Sequence, residues 1–265
     1  MRRPHADPAP QPPAGVPEGS GSLPSERPFP GPASPLARGG RSYTHCAVGF
    51  IDTLGAKNFA GSDTFLNALA YMVDLQRKVA QAQPGDAVRT VYFSDNIGAS
   101  IPLAGLDAAG AKRAVCQLLR LLAGIQLYYL RDFGILCRGG AAVGDCFHSH
   151  DMIFGPALVE AYRLEGSAVS PRIAISDEVA ALAGEDVVAL LPAEPLVENG
   201  RTVGAARAID FMRAECPTPP ARTQYLEQLS AVITAGLRQS GATARSKWDW
   251  TATQLATLDA ASSAD

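Results

Sequence analysis

The stretch that most constrains this chain is Phe50-Ile51-Asp52-Thr53-Leu54-Gly55. It ends an apolar run, Cys46 to Ile51, that reads as a buried strand. A carboxylate at the end of such a strand is costly unless its charge is compensated. Gly55 lets the chain turn sharply ahead of a helix. This arrangement can hold a metal against phosphates. The free N–H groups of the helix start face the phosphate oxygens, and the Asp takes the cation. Alone, the same pattern also fits an Asp that merely caps a turn. Val91-Tyr92-Phe93-Ser94-Asp95-Asn96, followed by Ile97 to Ile101, adds a hairpin with Asp95 at its tip. Two Asp side chains at the ends of two apolar strands can share a pair of metal ions.

A length of 265 residues allows one large domain, or a medium one with extensions. The 47% hydrophobic content is ample for a core, and the net charge of −3 argues against a general nucleic-acid binder. A local basic pocket for one nucleotide is compatible with it. Cys46, Cys116, Cys137, Cys146 and Cys216 are scattered, with no Cys-x-x-Cys pair. They read as reduced, mostly buried thiols of a cytoplasmic protein. No apolar run has the length of a membrane span, and the N-terminus lacks the apolar core of a secretory signal.

Residues 1–41 hold more than half of the 20 prolines and have no hydrophobic period, so a disordered extension is expected there. The main domain is expected over 42–215 and a C-terminal helical extension over 216–265. A strand over about 43–51 precedes a helix over 62–82, with Phe65, Leu69, Met72, Leu75 and Val79 at helical spacing and Ser62 or Asp63 as cap. Pro84-Gly85-Asp86 reads as a turn. The hairpin over 88–103 leads to a helix over 107–133, stopped by Gly134. A strand over 135–143, a hairpin over 144–154, a helix over 157–165 behind Gly155-Pro156, and a strand over 171–176 follow. A short helix over 177–183, an edge-forming segment over 187–212 turning at Glu198-Asn199-Gly200, and helices over 223–238 and 244–258 complete the chain. This order suggests an α+β sandwich: a mainly antiparallel sheet with helices on one face and a ferredoxin-like split β-α-β core.

Five motifs in order carry a resemblance: Phe50 to Gly55, Phe93-Ser94-Asp95, Arg138-Gly139-Gly140, Phe154-Gly155-Pro156-Ala157 through Glu165, and Pro171-Arg172-Ile173. The set, over roughly residues 43–176 with a weaker echo at Lys247-Trp248, resembles class III nucleotidyl cyclases. Within that class it is most similar to the pyrimidine (uridylate or cytidylate) cyclases of Pycsar antiphage defence. The resemblance implies a class III cyclase sandwich with two Mn²⁺ or Mg²⁺ ions per site. Asp52, Asp95 and the Thr53 carbonyl would hold the metal. Phe50 and the turn from Leu54, Gly55 and Ala56 to Phe59 would meet the substrate. A helix opening after Gly155 would carry an Asn and, four residues later, a transition-state Arg. Arg163 matches the Arg, but Val159 stands where the Asn belongs. Val91 and Met152 fall at the purine-reading positions, and neither can read a purine edge by hydrogen bonds. Tyr92 or a neighbour would read a smaller base.

The implied activity is conversion of UTP to 3′,5′-cyclic UMP and diphosphate, with CTP to cyclic CMP as the alternative. The implied assembly is a cytoplasmic homodimer with composite sites, signalling through a separate cyclic-nucleotide-activated effector, without nucleic acid or membrane insertion. A non-catalytic nucleotide-binding protein of the same fold and a metal-dependent phosphohydrolase are the rival readings. Val159 favours the first rival. The retained Asp52, Asp95 and Arg163 oppose it, and no dedicated water-activating base supports the second.

Other residues carry two readings each. His148-x-His150 is a metal pair or a solvated turn. The glycines of Arg138-Gly139-Gly140 are read as permitting close backbone packing. Arg172 is an ion-pair partner of Glu160 or Glu165, or a phosphate contact. Lys247 reaches a triphosphate or snorkels to solvent. Trp248 and Trp250 are read as packing anchors, and Tyr162 as core or dimer interface.

Overall fold

The computed structural model describes residues 42–56, 61–82, 88–149, 152–184, 189–218 and 220–262. All of them lie in one unit, Arg41–Asp265. The expected disordered extension, the turn at Pro84-Gly85-Asp86, and His150 lie outside the described residues. In chain order the elements are β1 (Thr44–Thr53), α1 (Asp63–Ala82), β2 (Arg89–Phe93), β3 (Asn96–Pro102), α2 (Ala108–Phe133), β4 (Cys137–His148) and β5 (Ile153–Phe154). There follow α3 (Pro156–Ser167), β6 (Ile173–Ile175), α4 (Asp177–Ala183), β7 (Leu190–Glu198), β8 (Arg201–Ile209), α5 (Phe211–Ala214), α6 (Ala221–Gln239) and α7 (Ala242–Ser262).

Local chemistry sets many of these bounds. Ser62 Oγ accepts from the Phe65 amide at the start of α1. Asp107 caps α2 by accepting from the Gly110 amide at 2.7 Å. Gly134 ends the same helix in the left-handed region (φ 64°), donating its N–H to Leu130. Pro156 occupies the first turn of α3, where a missing N–H costs nothing. Asn199 and Gly200, both at positive φ, form the two-residue turn that joins β7 to β8.

The sheet has eight strands in the order β2-β3-β1-β4-β6-β8-β7, with β5 paired to β4 alone. Every pairing is antiparallel except β4 with β6. The first six elements run β-α-β-β-α-β with strand order β4-β1-β3-β2, which is the ferredoxin-like arrangement. The fold is therefore α+β, with two C-terminal helices added. The expected hairpin over 144–154 is instead one long strand, β4, running through Gly144 to His148 and closed by the two-residue β5.

Alternation along β1 divides the sheet into two faces. Ala47 and Ile51 join the main core with α2, α4, α6 and α7, through residues such as Leu119, Leu122, Val179, Leu229 and Trp248. From the helical period of α1, Phe65 and Leu69 pack on this core, while the side chains of Met72, Leu75 and Val79 lie outside the described residues. Val48 and Phe50 point the other way, onto α3 through Ala157 and Ala161. Helices thus cover both faces, not one, and α3 is the helix on the second face. Its approach requires Gly140. A Cβ there would stand 2.0 Å from the Ala161 carbonyl oxygen.

The ion-pair expectation for Arg172 is corrected. Arg172 pairs with neither Glu160 nor Glu165. Its guanidinium is 1% exposed and reaches the carboxylate of Glu194 at 3.5 Å. Its Nη atoms donate to the carbonyls of Ala206, Glu194 and Pro195. The order of the chain offered no sign of this, because β8 and β7 come to lie beside β6 only through the sheet order. Trp250 Nε1 donates to the same Glu194 at 3.0 Å, tying α7 to β7. Trp248 is buried on Gly236, so both tryptophans do act as anchors.

Candidate active site

Asp52 lies on the α3 face at the end of β1, where the strand register sets it between Asn96 of β3 and Arg138 of β4. Asp95 comes from the β2–β3 turn. There Ser94 takes positive φ (59°), a conformation that costs a non-glycine residue energy. The turn is held by Thr53, whose amide (3.3 Å) and hydroxyl (3.0 Å) both donate to the Asp95 carbonyl. Thr53 is buried and pins the two acidic tips together.

The electrostatics around Asp52 are lopsided. Burial, then Glu165, then Asp95, pushes its carboxyl up to about 6, while Arg138 and Lys247 oppose the rise. Glu165 is buried near the end of α3 and is held by Arg138, whose Nε donates to Oε1 at 2.6 Å. Arg138 Nη1 also donates to the Ala168 carbonyl. Lys247 is pushed down by burial and by Arg138, against the pull of Asp52 and Glu165.

Asp52, Arg138 and Glu165 line a cleft of ≈ 570 Å³. Its polar members are Asp52, Asn96, Arg138 and Glu165, and its apolar wall includes Phe50, Phe93, Phe154 and Tyr162. Phe50 meets Tyr162 edge-on, with ring centroids 5.4 Å apart. The rim is unusually apolar for a surface: Phe154, Val159 and Tyr162 are 58–61% exposed and Phe93 also stands out, while Met152 is exposed but outside the cleft lining. Tyr162 is therefore not a core residue. Gly55 (φ 80°) and Leu54 border a separate cleft with Lys247 and the α6–α7 connection. Ala56 is described, whereas residues 57–60 are not.

The other expected site residues lie elsewhere. Val91 packs with Val48 on the α3 face, outside the lining of the Asp52 cleft. Tyr92 packs against the main core, on the face opposite Asp52, and burial raises its phenol far above the ordinary range. Arg163 projects from α3 to the surface, bound to Glu160 and Glu198. His148 does not sit in a solvated turn, and its expected metal partner His150 lies outside the described residues. His148 ends β4, bonds Ser100 Oγ through Nδ1, and is pushed down to about 4 by burial and by Arg89. Arg138 and Glu165 are the residues that the sequence reading passed over. The Arg before two glycines was the visible signal, but its partner was not.

Among the described residues no three His, Cys, Asp or Glu side chains gather as a metal cluster. What the site offers is two carboxylates at adjoining tips. Those oxygen donors fit a hard divalent cation, and the raised Asp52 carboxyl marks an excess of negative charge that a cation relieves.

No family model matches the chain, and no curated protein does. Among solved structures it is similar to the adenylyl cyclase CyaB from P. aeruginosa, at 17% identity and TM-score 0.48, covering 63% of this chain and 94% of that one. It is also similar to the guanylate cyclase domain of RhGC from Catenaria anguillulae, at 16% identity and TM-score 0.45, covering 64% and 97%. The catalytic core of a rhodopsin-guanylyl cyclase with converted specificity gives 16% and 0.47, covering 64% and 96%.

Proposed function

We propose that this chain is a nucleotide cyclase of the class III type, acting on a pyrimidine nucleoside triphosphate, UTP ahead of CTP, as a homodimer. The observation that carries the reading is the arrangement of the two faces of one half-site. Asp52 and Asp95 meet at adjoining strand ends, while Arg163 stands on the exposed side of α3, outside that cleft. An apolar rim of Phe93, Phe154, Val159 and Tyr162 borders the opening. A second copy docked on that rim would bring its Arg163 to this chain's Asp pair and cover the apolar side chains together.

In the reaction the ribose 3′-oxygen attacks the α-phosphorus, the bond to the β,γ-diphosphate breaks, and the 3′-hydroxyl proton leaves to solvent. Two Mn²⁺ or Mg²⁺ ions, when bound by Asp52, Asp95 and the Thr53 carbonyl, favour the 3′-alkoxide and neutralise the triphosphate. Arg138 keeps Glu165 engaged, so that Glu165 does not compete for the cations. Lys247 and the Leu54–Gly55 turn border one cleft, suited to phosphate oxygens. Arg163 of the partner subunit would meet charge developing on the α-phosphoryl oxygens. The pyrimidine choice rests on the motif resemblance, in which Val91 and Met152 stand at the purine-reading positions and offer no polar atom to a purine edge; neither lines the Asp52 cleft. A role in antiphage defence through a separate effector rests on the motif resemblance alone. In this reading residues 42–215 form the cyclase domain and 216–265 its extension. No described helix is long and apolar enough to cross a membrane.

The test is incubation of the purified protein with ATP, GTP, CTP and UTP separately, with Mn²⁺ or Mg²⁺, and identification of products by mass. Cyclic UMP and diphosphate are expected. A cyclic purine product overturns the base choice. Val159, 61% exposed one turn from Arg163, favours a second reading, a nucleotide-binding protein without turnover. Nucleotide binding with no cyclic product from a folded dimer would establish that reading instead.

A further inference from the structure

Arg163 is exposed, yet it is not free to wander. Its Nε donates to Glu160 Oε2 at 2.9 Å and its Nη2 to Glu160 Oε1 at 2.7 Å, a two-pronged grip from one turn back on α3. Its Nη1 donates to Glu198 Oε1 at 3.1 Å. Glu198 is the last residue of β7, at the turn into β8. The Ser167 hydroxyl lies within reach of two acceptors, Glu198 Oε1 at 2.8 Å and the Arg163 carbonyl at 2.7 Å, and its single proton can serve either. The hairpin is itself fixed on α3. Leu196 forms a β-bridge with Ala168 and packs with Leu164, Ala174 and Ala206.

A guanidinium has five N–H donors. Three are taken by Glu160 and Glu198, which leaves one on each Nη. A phosphoryl group can be met by those two without breaking either carboxylate contact. The arrangement holds the group without blocking it.

We propose that Glu198, on the β7–β8 hairpin, is a positioning residue for Arg163, completing with Glu160 a two-carboxylate clamp that presents the remaining Nη donors to a phosphoryl oxygen. This rests on the cyclase reading above. A long, solvated side chain would otherwise sample many rotamers, and a transition-state contact is worth most when its donor is already in place.

Exposed ion pairs contribute little to stability, so Glu198→Ala should unfold at the same temperature as the parent protein. Its kcat for cyclic product should fall about tenfold, with KM unchanged within about twofold. Glu198→Gln should keep most of the activity, because an amide oxygen still accepts from Arg163 and Ser167. A wild-type kcat in Glu198→Ala overturns the clamp, and so does a raised kcat, which would make Glu198 a restraint. A second readout stands apart from turnover: the Arg163 Nε–H resonance in ¹⁵N NMR. It should be sharp in the parent and in Glu198→Gln, and broadened in Glu198→Ala. An unchanged resonance in Glu198→Ala overturns the clamp whether or not the protein cyclises anything. Absence of cyclic product from the parent, with the resonance behaving as expected, overturns the cyclase reading and leaves the clamp standing.

Discussion

Two arginine–glutamate pairs lie on the α3 side of the sheet, and they differ in what surrounds them. Arg172 is enclosed: three backbone carbonyls take its Nη donors, and Glu194 is in turn held by Ser170 and Trp250. Burial lowers its pKa, and Glu194 works against that. Arg138 is 23% exposed, binds Glu165 and one carbonyl, and opens onto the cleft beside Asp52. The same chemistry serves two ends. With its Nη atoms bound to backbone carbonyls, a buried arginine fastens β7, β8 and, through Glu194 and Trp250, α7 to the start of β6. Left partly open, it sets the field around a neighbouring carboxylate.

The largest effect should come from Arg172→Ala, which takes the donor from three backbone carbonyls and empties a buried position, while Ser170 and Trp250 still hold Glu194. A loss of about 3–5 kcal/mol in urea unfolding is expected from the unpaired carbonyls and the cavity together. A loss below about 1 kcal/mol would break the comparison, since the enclosed pair would then not be fastening anything. Next comes Gly140→Ala, whose new methyl would meet the Ala161 carbonyl and push α3 off the sheet. About 2–3 kcal/mol should be lost, together with the Arg138–Glu165 contact, and a crystal structure of the variant would display both.

Arg138→Ala is expected to cost about 1–3 kcal/mol, because it strands a buried Glu165. It should abolish cyclic-nucleotide formation at temperatures where the protein remains folded. Arg172→Ala, assayed well below its own unfolding midpoint, should retain activity. Equal loss of activity in both would erase the distinction.

The smallest effect is a gain. Asp52 has its pKa raised on folding, from 3.8 to about 6. Its contribution to stability is therefore fully present below pH 3.8 and is lost as pH rises through about 6. Asp52→Asn should accordingly stabilise the metal-free protein above about pH 6 by about 1–2 kcal/mol, allowing for partial solvent screening. The gain should vanish near about pH 4, and thermal melts across that range would measure it. The same variant should form no cyclic product.

The sequence by itself determined the parts whose causes are local. The apolar run ending at Asp52, the hairpin that carries Asp95, the Asp107 and Gly134 limits of α2, and the Asn199–Gly200 turn each follow from residues a few positions apart. A period of two or about 3.6, a cap or a positive φ suffices to specify them. Only the tertiary structure decided who meets whom. Glu165 looked equally available to Arg172 and was taken by Arg138, 27 residues away. Trp250 reached Glu194 across 56 residues, and Arg163 reached Glu198 across 35. Tyr92 was a candidate base reader until the pleat of β2 turned it toward the main core. Side-chain pairing of this kind depends on which faces the sheet order brings together, and no short-range pattern in the chain encodes that.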